Sequence, residues 1–121
     1  IMIKGGIVTV YVSDLNRSVE FYTKTLGLGL KMHIPGHWAQ VESPGLSIGL
    51  HPSGPKSPRP GISESLMIGF LVDKMDLARG ELVGKGVKFK GDVLDDGQLL
   101  IAHFSDPDGN PLYLSQLTMK W

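Results

Sequence analysis

Residues 6–22, G-I-V-T-V-Y-V-S-D-L-N-R-S-V-E-F-Y, hold the decisive pattern of the chain. Gly6 to Ser13 is rich in β-branched and aromatic residues and predicts a strand. Asp14 is a good N-cap for a helix beginning at Leu15. Leu15, Val19, Tyr22 and Leu26 then recur at helical spacing, and Gly27 stands where a left-handed C-terminal cap belongs. Strand followed by amphipathic helix is the opening of an α+β unit.

Outward from that stretch, three short strands are predicted at Leu28 to Ile34, His37 to Glu42 and Leu46 to His51, punctuated by Pro35-Gly36 and Ser43-Pro44-Gly45. Residues 51–65 contain Pro52, Pro55, Pro58 and Pro60, a composition that excludes a helix or a central strand and predicts a linker or lid. The order then repeats. A strand is expected from Leu66 to Asp73, a helix from Met75 to Lys85 closed by Gly86, and strands at Val87 to Asp92, Leu99 to Phe104 and Pro111 to Ser115. Setting Val12 against Val72 aligns residues 7–11 with 67–71. Gly27 meets Gly86 with a one-residue slip, and residues 44–50 fall on 108–114. The expected architecture is one domain over residues 1–121: two βαβββ modules in tandem (about 6–51 and 66–116, linker 52–65), forming a curled mixed sheet around a cavity.

Composition narrows the function classes. The 121 residues suit one compact domain. Twelve basic and twelve acidic residues leave no net charge, so there is no electrostatic case for nucleic acid or an anionic membrane as partner. With no cysteine, disulfides, thiolate metal sites and cysteine nucleophiles are excluded. No apolar run approaches the ~20 residues of a membrane span, and the amino terminus lacks a signal-peptide pattern, so a cytoplasmic location is expected.

The segments V-Y-V-S-D-L-N-R-S-V-E-F-Y (10–22), with L-G-L after it, and F-S-D-P-D-G-N-P-L (104–112) resemble the vicinal oxygen chelate superfamily. That superfamily includes glyoxalase I, extradiol dioxygenases, fosfomycin-modifying enzymes and bleomycin-binding resistance proteins. The resemblance runs from Gly6 to about Ser115 and implies two βαβββ modules curled around a cavity, and a homodimer. Metal-dependent members carry His, Gln or Glu at the start of the first strand and the end of the fourth strand of each module. In this sequence those positions fall on Ile7, Gly49, Met67 and Tyr113. Isoleucine and glycine offer no donor, methionine only a soft thioether and neutral tyrosine a weak oxygen. No metal and no cofactor are therefore expected, which places the chain nearest in type to the metal-free, bleomycin-resistance-like members.

Other motifs resolve as decoys. Residues 45–49 match G-x-S-x-G, but Pro52 forbids the helix that a nucleophile elbow needs. Asp106, Asp108 and Asn110 imitate a calcium loop, yet Pro111 and Leu117 stand where Gly and Glu are required. His33 and His37 flank a turn and read as solvated. His51 shares a face with Ser47 and Gly49 by strand alternation, and one of His103 and Phe104 faces inward. A two-histidine site from His51 and His103 would lack a carboxylate partner.

If Ile7 faces the cavity, Thr9 and Tyr11 do too, with Val8, Val10 and Val12 beneath the helix. The expected ligand-binding wall is Ile7, Thr9, Tyr11, Trp38, Gln40, Ser47, Gly49 and His51 from the first module. Met67, Gly69, His103 and Tyr113 join it from the second. Gly49 and Gly69 are expected to leave room for the ligand. Trp38 is an internal fluorescence probe, with Trp121 as background. The first functional reading is a protein that binds or sequesters a small apolar or aromatic molecule. Two others stay open: a metal-dependent lyase, isomerase or dioxygenase with ligands elsewhere, and a metal-free enzyme using Tyr113, Tyr11 or His51 as acid–base groups.

Overall fold

The computed structural model describes residues 2–118. Trp121 lies outside the described residues. The chain divides into two units, Ile1–Ile62 and Ser63–Trp121. The first contains β1 (Val8–Val12), α1 (Leu15–Glu20), β2 (Gly29–Ile34), β3 (Trp38–Ser43) and β4 (Leu46–Pro52). The second contains β5 (Ile68–Leu71), α2 (Met75–Gly84), β6 (Lys90–Asp95), β7 (Leu99–Ser105) and β8 (Pro111–Leu117). Each unit has an open four-stranded sheet, ordered β1-β4-β3-β2 and β5-β8-β7-β6. The first strand of each runs parallel to its fourth, and the remaining pairs are antiparallel. The α+β class and the tandem βαβββ order stand as expected.

In the first unit, Asp14 Oδ1 accepts from the Arg17 backbone N–H (3.1 Å), which satisfies one of the unpaired donors at the helix start. Leu15, Ser18, Val19 and Tyr22 are buried at i, i+3, i+4 and i+7. This face packs on β3 and β4, whose Ala39, Val41, Ile48 and Leu50 are fully buried. Each large apolar side chain removed from water stabilises the unit by about 1.5–3 kcal/mol. After Glu20 the helix widens into a π-helical turn, Phe21–Thr25, with the Leu26 N–H donating to Phe21 O five residues back (2.9 Å). A π-turn is how a helix absorbs one inserted residue. The one-residue slip of the repeat follows from it. Leu28 N–H reaches Tyr22 O, six residues back, whereas in the second unit Val87 N–H reaches Leu82 O, five back. Gly27 (φ +80°) and Gly86 (φ +94°) take the left-handed conformation that ends both helices.

The second unit starts its helix differently. Lys74, at the N-cap, has no acceptor to offer, and the Met75 N–H instead donates to Gln116 Oε1 of β8 (2.6 Å). Met75 and Leu82 are the buried positions of α2. Phe104, fully buried, packs on Phe89 (ring centroids 5.3 Å), and the Arg79 guanidinium lies 5.0 Å from the Phe89 ring centre.

Several boundaries differ from the sequence expectation. The strand expected at Val87 to Asp92 begins at Lys90. Val87 is instead buried and bonded to the end of α2, and the register with β7 shifts between Lys90 and Leu94, around Gly91 at φ +72°. β1 and β5 are shorter than Gly6 to Ser13 and Leu66 to Asp73. β4 extends through Pro52, paired with Val12. Proline is tolerated at that strand end, and the next donor, Ser53 N–H, reaches Val12 O at 2.8 Å.

Candidate functional site

Directly opposed residues in a sheet share a face. In the first sheet Thr9 opposes Gly49, Gly49 opposes Gln40 and Gln40 opposes Met32. One row along, Tyr11 opposes His51, and Trp38 opposes Ile34. Trp38 and Gln40 alternate with buried Ala39 and Val41, so they lie on the face turned away from the core that α1 covers. The register of β3 with β4 thus puts Trp38 and Gln40 with Thr9, Tyr11, Ser47, Gly49 and His51.

Three rings form a ladder on this face. The Tyr11 and His51 centroids are 5.3 Å apart with planes at 48°, and those of Trp38 and His51 are 6.2 Å apart with planes at 72°. Both are tilted or edge-on geometries of the kind that aromatic quadrupoles favour. The His51 ring is further fixed by Nδ1, 2.7 Å from the carbonyl oxygen of Pro52.

The two glycines do not leave the room expected of them. A Cβ at position 49 would fall inside the indole of Trp38, and one at position 69 inside the phenol ring of Tyr113. The space is filled by the protein's own rings, because an aromatic side chain on a neighbouring strand leans over the one position that lacks a side chain. Any ligand on the first sheet therefore meets the indole and not a hole above Gly49.

In the second sheet Gly69 opposes Tyr113, Tyr113 opposes His103, and His103 opposes Lys90. Phe104 is buried in the core, so His103 is the member of that pair on the Tyr113 face, with ring centroids 5.9 Å apart. Ile7 and Met67 precede β1 and β5 and are half exposed. Among the described residues there is no group of three or more His, Cys, Asp or Glu side chains that could hold a metal ion. The residues at the superfamily's ligand positions do not fit a divalent cation. Gly49 has no side chain, and the Tyr113 ring is laid over Gly69.

Sequence reasoning missed a hollow in the second unit. A groove of about 640 Å³, lined by Met75, Arg79, Gly80, Val83, Val93 and Leu100 among others, runs between α2 and its sheet. Gly80 borders it, and a Cβ there would meet nothing within 4 Å. The calcium-loop decoy resolves as a turn. Asp106 Oδ1 accepts from the backbone N–H groups of Asp108 and Asn110, both at 2.9 Å, and Oδ2 from the Asn110 side-chain amide.

No curated protein is matched by the chain. Among solved structures it is 32% identical to TnmS3, an antibiotic binding protein from Streptomyces sp. CB03234, covering 98% of this chain and 99% of that one with a TM-score of 0.77. A glyoxalase/bleomycin resistance protein from the same Streptomyces strain is also 32% identical, covering 93% of this chain and 100% of that one, with a TM-score of 0.71. A glyoxalase/bleomycin resistance protein/dioxygenase from Nocardioides, 22% identical, shares the fold at a TM-score of 0.77, covering 97% of this chain and 85% of that one. Residues 6–114 match the family model, and the chain belongs to the glyoxalase/bleomycin resistance protein/dioxygenase superfamily.

Proposed function

We propose that the chain binds an apolar, aromatic small molecule by stacking, without a metal, and so sequesters it instead of converting it. The observation that carries this reading is the ladder Tyr11–His51–Trp38 on the face of the first sheet away from α1. Thr9, Gln40 and Ser47 share that face and supply the few polar groups that orient a ligand. A relative that spans almost the whole chain at 32% identity is an antibiotic binding protein, which supports the same reading. His103 and Tyr113 form a smaller ring pair on the sheet of the second unit, and that face is proposed as a ligand-contacting surface of its own unit.

The chain is also proposed to work as a cytoplasmic homodimer. Its edge strand β2 carries Leu30, Met32 and Ile34, each 48% exposed, and a second copy would shield them. Light scattering at tens of micromolar should give twice the chain mass, and a monomer mass overturns the dimer.

The binding reading is tested by thermal-shift screening of polycyclic aromatic compounds, followed by fluorescence titration. Compounds that raise the melting temperature should also change the Trp38 emission, and Trp38→Ala should weaken them at least tenfold. A hit that is unaffected by Trp38→Ala and by Tyr11→Ala places the site elsewhere.

A further inference from the structure

His51 has one committed nitrogen and one open one. Nδ1 lies 2.7 Å from the Pro52 carbonyl oxygen, and a carbonyl only accepts, so Nδ1 carries the proton of the neutral ring. Nε2 is then an acceptor, and among the described residues nothing donates to it. The ring is half buried between Tyr11 and Trp38, where a stacked ligand would lie against it. The other polar side chains of the face differ in chemistry or place. Thr9, Tyr11, Gln40 and Ser47 both donate and accept, Trp38 only donates, and Glu42, opposite Ser47 and 3.9 Å from Lys31, lies two rows along the sheet from His51.

Resting on the stacking role proposed above, we propose that His51 sets the class of ligand. Its Nε2 accepts the hydrogen of a hydroxyl carried by the aromatic ligand, so that phenols are selected over the corresponding aryl ethers. The Pro52 carbonyl acts through the ring: it holds the tautomer that makes Nε2 an acceptor, and Pro52 is itself held by its pairing with Val12. A ligand whose hydroxyl is methylated keeps its stacking area and loses only the donor.

The test compares 1-hydroxypyrene with 1-methoxypyrene by fluorescence titration of the full chain. The wild type should bind the phenol about two- to tenfold more tightly, the range of one net neutral hydrogen bond. His51→Phe keeps a ring and removes the acceptor, so the two probes should bind it equally. His51→Gln retains an acceptor and should keep part of the preference. Equal binding of both probes by the wild type overturns the role of His51 and leaves the stacking face standing. A phenol preference that persists in His51→Phe also overturns it, by placing the acceptor elsewhere. Binding of neither probe overturns the stacking face and the role of His51 together.

Discussion

The indole of Trp38 lies across Gly49, in the volume that a Cβ at position 49 would need. Gly49 is not at positive φ, so a larger residue there is opposed by packing alone and not by backbone strain. Gly49→Ala should destabilise the chain by about 1–3 kcal/mol, as overpacking does. In a Trp38→Ala background the same change should cost little, because its obstacle is gone. Urea unfolding of the four proteins in this cycle reads the coupling directly. An identical cost in both backgrounds would show that the indole does not rest on Gly49.

The two helix starts are satisfied by different routes, and the difference is measurable. Asp14→Ala removes a side-chain cap within its own turn and should cost about 0.5–2 kcal/mol. Gln116→Leu leaves the Met75 N–H without its acceptor and should cost about 0.5–1.5 kcal/mol, although position 116 is 41 residues away in sequence. Lys74→Asp, which supplies a local cap, should recover part of that loss. If Gln116→Leu is neutral in thermal unfolding, the cross-strand cap does not hold the helix.

What the sequence revealed depended on distance along the chain. The helix caps at Gly27 and Gly86, the alternation of Val10 and Val12, and the turn at Asp106 to Asn110 are local events that residue type alone determines. The alternation along β1 was legible too, since period two is local once one residue is placed, but which of His103 and Phe104 faces inward on β7 was not. The start of β6 was not legible, because Val87 packs under α2 rather than joining β7. Nor was the filling of the glycine positions, which depends on the register between β3 and β4 and between β5 and β8. The Gln116 cap likewise requires β8 to lie beneath the start of α2. Such contacts are set by tertiary pairing, and nothing at the residues themselves announces them.

Asp96 should make the fold sensitive to acid in a defined direction. Backbone N–H groups of Gln98 and then Leu99 donate to its carboxylate (2.9 and 2.8 Å) and hold its pKa below the ordinary value of 3.8. A depressed folded pKa gives stability that is present above the unfolded value and lost as pH falls through the folded one. Asp96→Asn should therefore be less stable than wild type near neutral pH, with the gap closing as pH drops below 3.8. Thermal unfolding from pH 2 to 7 checks this. A gap that does not narrow in acid would assign the loss to something other than the charge.

Metal removal separates the proposed binding function from the catalysis known elsewhere in the superfamily. The chemistry of a divalent ion needs imidazole or carboxylate donors around it, and Ile7, Gly49, Met67 and Tyr113 provide neither. Of the histidines, His51 has Nδ1 engaged by Pro52, and among the described residues no group of three or more His, Cys, Asp or Glu side chains could hold a metal ion. Dialysis against a strong chelator should then leave the melting temperature and the affinity for an aromatic ligand unchanged. Adding back Mn, Fe, Co, Ni or Zn should change neither. The opposite result would be specific: if one equivalent of metal raised affinity more than tenfold, and His51→Ala or His103→Ala abolished the gain, a metal-dependent enzyme would replace the stacking site as the reading of this fold.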